Sequence, residues 1–104
     1  MNAIMLTGCV TDTPRRRNST SGNAKLEFHV ETLTRSLPLR FWVIAFGTLA
    51  DSLRLVPGDG VIIVGRLEPN IQDGRVAGFS LLANNVETLE AAAPNNPGTA
   101  ESTR

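Results

Sequence analysis

Tyrosine is missing from the 104 residues, and cysteine, histidine and tryptophan occur once each. A lone cysteine, Cys9, excludes an internal disulfide. His29, the one histidine, has no second histidine or cysteine with which to share a metal ion, and no nucleophile at a spacing it would activate. A surface histidine is expected. Neither paired carboxylates nor a phosphate-cradling glycine loop can be found, and Gly60 and Gly65 do not make one, so no enzymatic activity and no cofactor are expected. No run approaches the roughly 20 apolar residues of a membrane helix. The opening MNAIMLTG is interrupted too early by Gly8 and Asp12 to be a secretory signal, and a cytoplasmic protein without a membrane partner is expected. Net charge is lacking as well, because ten Lys plus Arg balance ten Asp plus Glu. Any attraction for a polyanion must come from a local patch.

What is present is turn chemistry between short apolar runs. Without a long helical period, nine glycines and six prolines favour many short strands, and hence one all-β domain over residues 1–90. A chain of this length buries roughly two thirds of its unfolded surface. Ala91 to Arg104, AAAPNNPGTAESTR, carries no aromatic or branched aliphatic residue and is expected to be a disordered tail. All the cations but Lys25 are arginines. That bias suits planar, stacking, bidentate contacts, and it is also what a GC-rich genome produces.

The chain is organised around Arg40 to Leu67, RFWVIAFGTLADSLRLVPGDGVIIVGRL. The period of two in RFWVIAFG sends Phe41, Val43 and Ala45 to one face and Arg40, Trp42, Ile44 and Phe46 to the other. The first face suits a core; the second, with a cation and two rings, suits a flat anionic ligand. Thr48 is the expected N-cap of a short helix over Leu49 to Leu55, ended by Pro57 and the Gly58-Asp59-Gly60 reversal. In the strand VIIVGRL, Gly65 marks a bulge or a close backbone approach.

On the N-terminal side, Asn2 to Val10 is an expected strand and Thr11 to Asn23 an expected loop that carries the basic run Arg15, Arg16 and Arg17. That run either grips phosphates or is a solvated turn. Ala24 to Thr32 alternates, with Leu26, Phe28 and Val30 inward and Lys25, Glu27, His29 and Glu31 outward. Two carboxylates on a nucleic-acid platform would repel phosphate. Leu33 to Leu39 is a short connector with Arg35 as its only charge. Beyond Leu67, turns are expected at Pro69-Asn70 and Asp73-Gly74 within a hairpin. Phe79 to Leu89 supplies the closing strand, with a bulge near Asn84-Asn85.

These motifs carry a resemblance. AFGTLADSLRLVPGDGVIIVGRL resembles the middle of bacterial single-stranded DNA-binding proteins, where "FGKLAE" leads through a "KG" turn into "V.V.GRL"; MNAIMLTG resembles their opening "MN.v.LtG". The resemblance covers about Met1 to Leu89. It implies a five-stranded oligonucleotide-binding barrel with one short helix between its third and fourth strands, and a function in DNA replication, recombination or repair without strong sequence preference. By the same resemblance Phe46 is the first stacking residue, with Trp42 beside it. Arg40 stands where family members have an aromatic ring, and a guanidinium also stacks on a base. Arg15, Arg16, Arg17, Lys25, Arg35, Arg66 and Arg75 are the phosphate candidates. Burial against a partner subunit or under the hairpin is the alternative for the two rings.

The family further implies a homodimer or homotetramer with Asn2 to Val10 at the interface. Its acidic Pro-Phe tail tip is missing here, so recruitment of other proteins by that route is not expected. TPRRRNSTSG resembles the "TP.RK.SPSG" loop of primosomal replication protein N, a small relative of the same barrel, which brings replication-restart proteins in as partners. A third possibility is a degenerate barrel that serves as a protein-interaction module.

Overall fold

The structure, a computed structural model, describes residues 2–18, 22–33 and 37–89. Its elements are β1 (Ile4–Val10), β2 (Arg15–Asn18), β3 (Ala24–Leu33), β4 (Pro38–Phe46), α1 (Gly47–Ser52), β5 (Gly60–Gln72) and β6 (Arg75–Leu89). β5 lies between β1 and β6, β6 pairs in parallel with β4, and β4 pairs with β3. β3 returns to β1 through Cys9 opposite Glu31 and Val10 opposite Val30, which closes the barrel. Five strands in this circuit, with a helix between the third and fourth of them, form the oligonucleotide-binding fold.

β2 stands outside the circuit. The expected loop around Arg15–Arg17 instead pairs with β3, Arg15 opposite Glu27 and Arg17 opposite Lys25. A free edge on β3 satisfies the main-chain polar groups of this segment, and Arg15 and Arg17 keep their long side chains exposed.

Alternation filled the barrel as the sequence suggested. Leu26, Phe28, Val30, Val43, Ala45, Val61, Ile63 and Leu81 are all buried. α1 is shorter than expected and begins earlier, at Gly47, with extended Phe46 at its N-cap position and no side-chain cap. Leu53 has already returned to extended backbone, at φ −82 and ψ 135. From there the period is two, which points Leu53 and Leu55 into the core while Arg54 and Val56 face out.

The hairpin is longer than expected because Pro69-Asn70 does not turn. Among the described residues β1 pairs with β5 as far as Gly65 and Asn2 adds a side-chain pair at Leu67, so at Pro69 one edge of β5 is open, and a residue without an N–H is tolerated there. The reversal falls at Asp73 and Gly74, at φ 52 and 76, the positive pair that a two-residue hairpin turn requires. Gly65 sits at a register shift in which Val64 faces Asn85 and Gly65 faces Ala83, so Asn84 is the extra residue. A β-carbon on Gly65 would collide with the Leu82 carbonyl oxygen, so only glycine fits. Asn2 prolongs β1 by imitating main chain: its Oδ1 accepts from Leu67 N–H at 2.8 Å, and its Nδ2 donates to Leu67 O at 3.1 Å. Among the described residues no helix is long and apolar enough to cross a membrane.

Candidate nucleic-acid interface

Opposed residues of an antiparallel pair share a face, so the register of β3 and β4 builds a surface row by row. Lys25 faces Phe46, Glu27 faces Ile44, His29 faces Trp42 and Glu31 faces Arg40. Trp42 and Phe46 are exposed at 37% and 43%, with half-buried Ile44 between them. The Lys25 ammonium lies 5.9 Å from the centre of the Phe46 ring. β2 widens this face with Arg15 and Arg17, whose β3 partners are on it.

The intervening residue of the basic run turns the other way. Arg16 faces Leu26, and its guanidinium donates to the Ala50 carbonyl at 2.7 Å and to the Leu53 carbonyl. It therefore closes the end of α1. Arg66 Nε is paired with Glu68 at 2.8 Å, and Arg75 is exposed beside the hairpin turn, opposite Gln72. Arg40 is exposed on the same face as Trp42, and Arg35 lies outside the described residues, as does the tail 91–104.

Glu27 departs from its expected exposure. Its side chain is only 7% accessible, held by Lys25 Nζ at 3.1 Å and by the Arg17 guanidinium at 3.6 Å. A buried carboxylate among cations lowers the free positive charge of the patch without offering an exposed negative one. Glu31 is exposed, as expected.

Sequence reasoning missed two features. Asp12 Oδ1 accepts the His29 main-chain N–H at 3.2 Å, and Oδ2 accepts the His29 Nδ1 proton at 2.9 Å. Partial burial raises the Asp12 carboxyl, but the His29 hydrogen bonds and the fields of His29 and Arg40 outweigh it, leaving the group below its ordinary 3.8. Asp12, Thr13, Arg15, Glu27, His29 and Trp42 line a cavity of about 290 Å³. No spacing rule connects Asp12 to His29, because a closed barrel brings them together. The second feature is Phe79, 58% exposed opposite Pro69. It shares the inward parity of Leu81, yet stands where the arm has left the barrel. The strand period alone assigns it to the core.

No family model matches the chain. No curated protein matches it. Solved structures do match. A deletion variant of the single-stranded DNA-binding protein from Thermus aquaticus superposes with a TM-score of 0.77 at 22% identity, over 88% of this chain and 51% of that one. This chain thus spans about half the length of that protein. PriB from Ralstonia solanacearum superposes with a TM-score of 0.71 at 17% identity, over 86% of this chain and 99% of that one. The N-terminal domain of PriB from Thermoanaerobacter tencongensis, solved as a dimer, gives 0.70 at 17% identity, over 85% and 96%. The barrel is of the kind that bacterial single-stranded DNA-binding proteins and PriB share, as the sequence resemblance implied.

Proposed function

We propose that this chain binds single-stranded DNA across the outer face of β2, β3 and β4, in replication, recombination or repair. The observation that carries the reading is the exposure of Trp42 and Phe46 on one strand face, bordered by Lys25, Arg15, Arg17 and Arg40. Each ring offers a base a stacking surface worth roughly 1–3 kcal/mol. Arg15 and Arg40 neutralise phosphates along the strand, and Arg66 and Arg75 continue the path onto the β5–β6 arm. Lys25 and Arg17 join it only where a phosphate displaces Glu27, and Arg35 is a phosphate candidate by its sequence alone. Arg66 joins it by exchanging Glu68 for a phosphate. Arg16 serves the path indirectly, by holding β2 in place.

The working unit is a homo-oligomer. Among the described residues β1 pairs along β5 from Ile4 to Cys9 and meets β3 only at Cys9 and Val10, so its other edge is open to them over most of its length. An open apolar edge invites the same strand of a second copy. The cell compartment that fits these roles is the cytoplasm.

A second reading is a PriB-like accessory factor that works with replication-restart proteins. Its support is the superposition on PriB from Ralstonia solanacearum, with a TM-score of 0.71 over 86% of this chain.

The test is the anisotropy of a labelled oligo-dT with the full chain at 50 and 200 mM salt. Four phosphate contacts give a slope of log K against log salt of about −2.8, hence an affinity loss of about fiftyfold over that range. No binding at 50 mM salt would remove the reading and leave a protein-interaction module on the same fold.

A further inference from the structure

We propose that His29, clasped by Asp12, is a proton-dependent contact for a strand phosphate beside Trp42, so that this platform binds single strands more tightly as pH falls. The proposal rests on the single-strand-binding reading above and adds a regulation to the same site.

Register puts the histidine on the platform. His29 is the antiparallel partner of Trp42, and such partners have β-carbons about 4.5–5.5 Å apart. A base stacked on the indole therefore brings its flanking phosphates within reach of the imidazole. The His29 side chain is 38% accessible and lines the same cavity as Trp42. Its orientation is fixed. Asp12 Oδ1 accepts the His29 main-chain N–H at 3.2 Å, and Oδ2 meets Nδ1 at 2.9 Å. An ionised carboxylate offers only acceptors, so Nδ1 carries a proton and a neutral ring keeps its lone pair on Nε2. Nε2 lies on the ring edge turned from Asp12 and has no hydrogen-bond partner among the described residues.

The two protonation states present opposite surfaces. With the ring neutral, the pair carries one negative charge and shows a lone pair, and both repel phosphate. With the ring protonated, the pair is neutral overall and Nε2–H is a charged donor. Histidine is the side chain that ordinarily changes charge between pH 5 and 8. The charged groups around the ring do not reproduce that change. Arg15 on β2 and Arg40 on β4 keep their charge throughout. Glu27, two residues before His29 on β3, is occupied by Lys25 and Arg17, and Glu31, two residues after it, lies opposite Arg40. Carboxylates ordinarily titrate below about pH 5. Asp12 lies below its ordinary range and remains the anion. Cys9 on β1 faces Glu31, a row away from His29, and a thiol ordinarily titrates above about pH 8.

The test is the anisotropy of a labelled oligo-dT with the full chain at about pH 5.5 and pH 8, each at 50 and 200 mM salt. Neither thymine nor the phosphodiester titrates in that interval. Affinity at 50 mM salt is expected to be about tenfold higher at the lower pH, the small end for a hydrogen bond from a charged group. The slope of log K against log salt is expected to become more negative by about 0.7, for one added phosphate contact. His29→Gln is expected to abolish both differences, a comparison within one variant that a general weakening does not disturb. Salt-sensitive binding with equal affinity at both pH values, or a gain that survives in His29→Gln, would overturn the His29 contact and leave the single-strand reading standing. A gain without a change of salt slope would overturn its assignment to a phosphate. No binding at either pH at low salt would remove both readings.

Discussion

The guanidinium of Arg16 donates to the carbonyl oxygen of Ala50 across 34 residues of sequence, at 2.7 Å, and to that of Leu53 beside it. This relationship ties β2, an added strand with no place in the closed circuit, to the end of α1. The carbonyls at a helix end have no partner inside the helix, and a cation there meets both the hydrogen-bonding need and the helix dipole. Arg16→Ala should lower unfolding free energy by about 1–2 kcal/mol, read from urea denaturation. Arg15→Ala, on the other face of β2, should leave the urea midpoint nearly unchanged and make the salt slope of oligo-dT binding less negative by about 0.7. The opposite pattern would show that the two arginines have exchanged roles.

Glu27 occupies the place of a phosphate between Lys25 and Arg17. Glu27→Gln should release both cations and make the salt slope more negative by about 0.7 for each. Affinity for oligo-dT at low salt should rise, and stability should fall. Weaker binding in this variant would mean that Glu27 positions the cations and does not compete for them.

Gly65 leaves no room for a side chain, since the approaching atom is the main-chain oxygen of Leu82. Gly65→Ala should destabilise the barrel by about 3 kcal/mol, as overpacked cores do. A denaturant series measures this directly; an unchanged midpoint would contradict the close approach of β5 and β6 at the bulge.

Met5 projects from the open-edged strand with 73% of its surface accessible in one copy. Sedimentation of the wild-type chain should give a dimer or larger species, and Met5→Glu should shift it toward the monomer. A wild-type monomer at micromolar concentration would remove β1 as an interface.

Much of the barrel was legible because it depends on period. The alternation of Leu26, Phe28 and Val30, and of Val43 and Ala45, assigned the buried face correctly, and Gly65 and Asn84-Asn85 announced the bulge. The errors lie where local chemistry competed with neighbours distant in sequence. The loop composition around Arg15, Arg16 and Arg17 gave way to pairing once β3 offered a free edge, with Asn18 opposite Ala24 completing it. Pro69 suggested a turn but sits in a strand with one open edge. The candidate site was legible in part. Strand parity put Trp42, Phe46 and Arg40 on one face, but it had no means of seeing that Arg16 would reach a helix or that Asp12 would meet His29.

The central claim is that the exposed rings of β4 receive bases, and the single tryptophan makes this directly measurable. The intrinsic fluorescence of Trp42 should be quenched on titration with oligo-dT, saturating together with label anisotropy. Phe46→Ala should weaken that binding by roughly 1–3 kcal/mol. Binding without quenching, and with full affinity in both Trp42→Ala and Phe46→Ala, would contradict the account, because the strand would then lie elsewhere on the barrel.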